Sequence, residues 1–314
     1  MSAETITADE PCRPVKLKVS TPADLVATLP YLFGFPPTDS IIVLALQGKR
    51  VVASARADAA LVGEPDKIQQ ALSAITRQGD HLIVIAWIEP QKAAERAAVL
   101  VAAALGGVGQ TIIVCGGRCR ADGGPWQQCP ASLPEAQEAG LEVLPSRAAV
   151  AAKVKGPPAS DKQATRRWRL ARSAVVGHDQ EWCQARLDEL LTHGIARPDR
   201  LSAYELTELA ALVHDGVLRD RVWQFFDAAR AGRLVVLWQS AVAVVARAGA
   251  PAPLGLLALA AWLHGEGALQ TCCLERGLRI APEHSLLRLV DQMMVAGLPP
   301  AMWPQIQHSL MSLE

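Results

Sequence analysis

The first 120 residues alternate between short apolar runs and longer amphipathic stretches. "VKLKVS" (15–20) alternates as a short strand. Ser20 or Thr21, then Pro22 and the apolar face of "ADLVATLPYLFG", predict a capped helix that Gly34 ends. "SIIVLAL" (40–46) and "VVASARAD" (51–58), joined across "QGK", predict a β-hairpin. Period-two alternation in the second run sends Val52, Ser54, Arg56 and Asp58 to one face and Val51, Ala53, Ala55 and Ala57 to the other. Ile68, Leu72 and Ile75 recur at helical spacing before Gly79, and "HLIVIAWI", a helix from about Gln91 to Leu105, and "TIIVC" follow. Continuous apolar strands separated by helices require a sheet covered on both faces, so 82–88 and 111–115 should run parallel. In such sheets ligands gather beyond the carboxyl ends of the parallel strands, where Glu89 and the stretch "CGGRCRADGGPWQQC" (115–129) emerge.

Beyond "KVKGPPASDKQ" (153–163), a polar, Gly/Pro-rich break, every segment has helical periodicity, and most end in glycine. The fold class is therefore an α/β mixed-sheet N-terminal domain followed by an all-α domain. The divisions are a disordered start at 1–14, the mixed domain at 15–150, a linker at 151–165 and helices at 166–314. Gly265, Leu274, Gly277, Leu278 and Pro282 resemble one degenerate tetratricopeptide unit, against which a plain helical bundle stands as the simpler arrangement.

Half the residues are apolar and 31 basic side chains balance 31 acidic ones, which excludes a whole-protein electrostatic grip on nucleic acid or an anionic membrane. The charge is unevenly placed, however, with seven basic residues and one acidic residue across 151–172. Seven scattered cysteines do not form a disulfide framework, the first ten residues lack a secretion signal, and "LGGVGQT" interrupts the uncharged stretch 97–117, which has the length to span a bilayer. A cytoplasmic protein with no membrane span is expected.

Candidate chemistry is sparse. Cys115, Cys119 and Cys129 give a loose pair and a third thiol without a nearby histidine, short of a zinc set, so no metal and no cofactor is expected. "GGVGQT" precedes a strand instead of linking a strand to a helix, so it lacks the helix N-terminus that binds phosphate. Arg56, Asp58, Glu89, Arg118, Asp122 and Arg147 would line one polar pocket if the sheet closes as drawn; the alternative is ion pairing on a solvated face. In "RRWRLAR", Arg166, Arg167, Arg169 and Arg172 with Trp168 offer the mixture of charge and stacking that single-stranded nucleic acid favours, or else a linker helix leaning on acidic neighbours. Met293, Met294, Leu298 and Trp303 form either a partner groove or core packing.

"STPADLVATLPYLFGFPPTDSIIVLALQGKRVVASARAD", "GLEVLPSRAAVAAKV" and "LLALAAWLHGEGALQTCCLERGLRIAPEHSLLRLVDQMMVAGLPPAMW" together resemble the uncharacterised actinobacterial domain-of-unknown-function family 4192 over most of residues 16–303. The resemblance implies a shared architecture in a cytosolic protein and no established activity. The relatives' Gly-Arg-Trp and cysteine-rich cluster correspond to Gly117, Arg118 and Cys119, then Trp126, Cys129 and Pro130; thinning to one cysteine counts against a shared metal site. The functional expectation is a non-enzymatic module binding a protein partner or a small ligand. Alternatives are an enzyme with a polar site at the strand ends, or a nucleic-acid-associated factor using 166–172.

Overall fold

A computed structural model describes residues 19–72 and 74–311, so the expected strand at 15–20 and the start at 1–14 fall mostly or wholly outside it. Helix α1 (Pro22–Phe33) opens with a capping box. The Thr21 hydroxyl accepts the Asp24 N–H at 3.1 Å, and the Asp24 carboxylate accepts the Thr21 N–H at 2.9 Å. Gly34, at φ 76°, ends the helix in the left-handed conformation that a Cβ disfavours.

Strands β1 (Ser40–Gln47) and β2 (Arg50–Asp58) form the expected hairpin, and α2 (Pro65–Leu72), β3 (His81–Trp87), α3 (Gln91–Ala104) and β4 (Gln110–Cys115) follow. β3 and β4 are parallel, with Trp87 opposite Val114, as the apolar runs require. The segment 115–129 is not the open loop the sequence suggested. It adds β5 (Arg118–Ala121) and β6 (Gln127–Gln128), giving a six-stranded mixed sheet of order β2-β1-β3-β4-β5-β6. The reason lies in Gly116 and Gly117, at φ 57° and 70°, between the paired Cys115 and Arg118. Two consecutive positive-φ residues make the tight turn whose twist matches a hairpin.

Alternate residues of each strand enter separate cores. Ile41, Val43, Leu82, Val84 and Ile113 pack under α2 and α3, while Ile42, Leu44, Ile83, Ile85 and Val114 pack under α1.

After α4 (Pro134–Glu138) and α5 (Arg147–Lys153), the chain is helical: α6 (Lys162–Gly177), α7 (Gln180–Ala196), α8 (Ala203–Leu212), α9 (Gly216–Arg221), α10 (Ala231–Val244), α11 (Pro251–His264), α12 (Gly267–Ile280), α13 (Ser285–Val295) and α14 (Trp303–Met311). α11 is buried at every position from Pro251 to Leu263, which its uniformly apolar sequence permits, and α10, α12 and α13 pack around it. Residues 218–232, one of the segments with helical periodicity, divide: α9 and a 3-10 turn end at Phe225, and α10 starts at Ala231. Gly232 therefore lies inside α10, where a Cβ would sit 2.9 Å from the His264 ring. Met293 and Trp303 are core residues, Met294 and Leu298 pack beside them, and the Trp303 indole donates to the Phe226 carbonyl at 2.8 Å, so these four side chains serve as core packing.

Phe35, Val150 and Val154 belong to the helical core, and the Gln78 side chain donates to the Gly297 carbonyl, so the sheet and the helices meet along a packed seam.

Within the helical half, His284 is pushed down to about 4, first by burial and then by the positive Arg219 and His214, and its Nδ1 is buried without a hydrogen-bond partner. A depressed histidine binds a proton more readily in the unfolded chain. Stability should therefore fall as pH drops from about 6.5 towards 4, by roughly 2 kcal/mol at pH 5. Urea unfolding at pH 7.5 and pH 5 measures this, and His284→Gln should shrink the difference; an unchanged difference would place the acid sensitivity elsewhere.

Candidate functional site

The seam between sheet and helices carries a row of alternating charge. On β2, Arg56 lies over the Phe35 ring and pairs with Asp58 at 2.7 Å. Arg147, the first residue of α5, pairs with Glu275 of α12 at 2.6 Å and feels Asp58 as a further negative charge. Burial lowers the Arg147 guanidinium, but the Glu275 hydrogen bond and charge outweigh it and leave the group raised. Arg56, Asp58 and Arg147, expected in one pocket, are thus brought together. Glu275 was not expected among them.

Beside this row a cleft of about 340 Å³ opens between residues 154–159 and α12. Lys155, Arg247, Arg276, Arg279, Glu275 and Cys272 contribute its polar lining. Two turns of α12 supply four of these six, since 272, 275, 276 and 279 share one helical face. Glu275 is engaged by Arg147. Among the described residues, no carboxylate lies within ion-pair distance of Lys155, Arg247, Arg276 or Arg279. Arg276 donates to the Val154 carbonyl, and its guanidinium is lowered by burial and by the neighbouring Arg247. Gly156, at φ 63°, lets the chain cross this side chain: a Cβ there would lie 2.7 Å from the Val242 carbonyl oxygen and 2.8 Å from Arg276 Nη2. Burial raises the Cys272 thiol above its ordinary range, against the pull of Arg147.

Glu89 and Arg118 gather at a second place, the turn joining β4 to β5. The Glu89 carboxylate accepts the Cys115 thiol at 2.6 Å and the Gly116 N–H at 2.7 Å, and these two bonds hold it below the usual carboxylate range. Arg118 lies over Trp126, whose ring also meets Arg120. This turn shares the sheet end of Asp58, but three strand spacings, about 14 Å, separate Asp58 from the row at Val114. Asp122 stands at the opposite end, accepting the Thr111 N–H at 2.8 Å. The six residues therefore divide among three places instead of sharing one pocket.

A family profile described as Domain of unknown function (DUF4192) matches residues 22–301. The chain belongs to the DUF4192 family. No curated protein and no solved structure matches it. Along α6 of this DUF4192 chain, Ala164, Trp168, Ala171 and Val175 form the buried stripe. Trp168 is only 9% exposed and meets His214 edge-on, so of the two readings of "RRWRLAR" its ring does not offer the base-stacking one. Arg167 donates to the Val244 carbonyl and Arg172 to the Ala211 carbonyl, each at 3.2 Å, while Arg166 and Arg169 remain on the exposed side.

Cys119 is buried under α1 with Cys129 packed against it, and Cys115 is held by Glu89. Among the described residues no group of three or more His, Cys, Asp or Glu is placed to hold a metal ion, and no helix is long and apolar enough to cross a membrane.

Proposed function

We propose that this chain is a non-catalytic binding module and that it holds a small anionic ligand in the cleft between 154–159 and α12. The observation that carries this reading is the set of four cations, Lys155, Arg247, Arg276 and Arg279, facing one cavity with no carboxylate paired to any of them. Arg247 already disfavours the charge on the half-buried Arg276, and a bound anion relieves that repulsion. The volume lies at the lower end of that typical for small-molecule sites. A concave cleft of this size favours a small ligand over a protein surface. Cys272, the nucleophilic side chain of the lining, is kept protonated by burial, which supports binding over covalent catalysis.

A thermal-shift survey of small anions and neutral metabolites tests the proposal. Anions should raise the melting temperature, and Lys155→Glu with Arg279→Glu should abolish the rise; both side chains are exposed, so the double variant should still fold. Stabilisation that persists in the double variant would refute the cleft as the site.

A further inference from the structure

The chemistry of the cleft narrows the ligand class. This step rests on the proposed binding role of the same cleft. We infer that the ligand is a phosphomonoester of a small molecule, its phosphate held by Arg276 and Arg279 and its organic part laid against the cleft's apolar surface.

Three observations lead there. Three of the four unpaired cations are arginines, whose planar forks match the oxygens of a tetrahedral anion better than a point charge does. A phosphomonoester carries close to two negative charges at neutral pH, so one such group compensates two guanidinium ions where a monocarboxylate compensates one. Arg276 is already positioned: it is half-buried, donates to the Val154 carbonyl, and is crossed by Gly156, so little side-chain freedom is lost when an anion arrives.

The remaining lining explains why an ester, and not free phosphate, is the better occupant. Ala151, Val154, Pro157, Pro158 and Ile280 give the cleft apolar surface between its charges. Inorganic phosphate leaves that surface wet, whereas an ester covers it and gains from its removal from water. The Glu275 carboxylate, exposed at the edge and held by Arg147, accepts a hydroxyl from a polyol or sugar portion while rejecting a second anionic group there.

Isothermal titration of the full chain at low ionic strength tests this with four probes: phenyl phosphate, inorganic phosphate, phthalate and a short thymidine oligonucleotide. Phenyl phosphate should bind one to one, roughly tenfold tighter than inorganic phosphate and tighter than phthalate, which has the same ring but two carboxylates. Arg276→Ala and Arg279→Ala should each weaken it by roughly tenfold or more. Arg279 is exposed, so its variant remains informative even where Arg276→Ala fails to fold.

Phthalate binding that needs Arg279 while phenyl phosphate fails would overturn the phosphate assignment and leave the anion-binding module standing. Phenyl phosphate binding unaffected by Arg279→Ala would overturn both. An oligonucleotide that displaces phenyl phosphate at lower concentration would overturn the small-molecule source and assign the phosphate to nucleic acid.

Discussion

Gly249→Ala should destabilise the protein by roughly 3 kcal/mol, a large share of the stability of an ordinary domain. An added Cβ would lie 2.7 Å from Cη2 of Trp168 and closer still to two further ring carbons. Indole is rigid, and this one is wedged in the helical core, so neither ring nor backbone yields cheaply. Trp168→Phe should recover part of the loss in the double variant, since a smaller ring opens the space that the methyl group needs. Urea unfolding followed by circular dichroism measures both. A single variant within about 1 kcal/mol of wild type would mean that the 3-10 turn at Arg247–Gly249 shifts freely and that the Trp168 contact is not a tight one.

A second large effect is expected at Glu208. Its side chain is 7% exposed and accepts two bonds from Arg186, from Nε at 3.2 Å and Nη2 at 2.8 Å. The Glu208 hydrogen bond is the largest cause of the raised Arg186 guanidinium, ahead of the opposing burial and of Glu189. Glu208→Ala removes the buried partner and leaves a cation that is itself 23% exposed with the half-exposed Glu189 alone, at a cost of roughly 2 kcal/mol. Glu189 is 50% exposed, so Glu189→Ala should change stability by less than about 1 kcal/mol. Chemical denaturation of the two variants separates the cases; equal losses would show that burial does not govern this triad.

The sheet was largely legible because its strands are either continuous apolar runs, as in β3 and β4, or regular alternations, as in β2. Burial on both faces and burial on one face leave those two signatures. The β4–β5 turn carries two competing signals, three cysteines within fifteen residues and Gly116-Gly117 between "TIIVC" and "RCRA", and the glycine pair is the hairpin signal. Glycine misled in the helical half. Gly232 closes a segment of helical periodicity, yet it lies inside α10, where its missing side chain admits His264, as Gly277 admits Leu287 inside α12. A chain position that stops a helix and one that lets a neighbour approach carry the same letter.

The candidate site was legible in part. Alternation on β2 correctly paired Arg56 with Asp58, because residues two apart share a strand face. Arg147 stands near Asp58 and pairs with Glu275 of α12, a contact 128 positions distant that no local pattern encodes. The stripe Cys272, Arg276, Arg279 is visible at helical spacing, but nothing in it announces that residues 154–159 lie across it. Trp168 allowed two readings for a different reason. The arginines around it point to charge, while Ala164, Ala171 and Val175 already mark its face as the buried one.

The central claim is that the cleft against α12 captures an anion. Electron density from crystals grown with phenyl phosphate tests it most directly. A phosphate should lie within hydrogen-bonding distance of Arg276 and Arg279, with the ring against Pro157 and Ile280. Density at the Glu89–Arg118 turn or along Arg166 and Arg169, with solvent alone in the cleft, would contradict it.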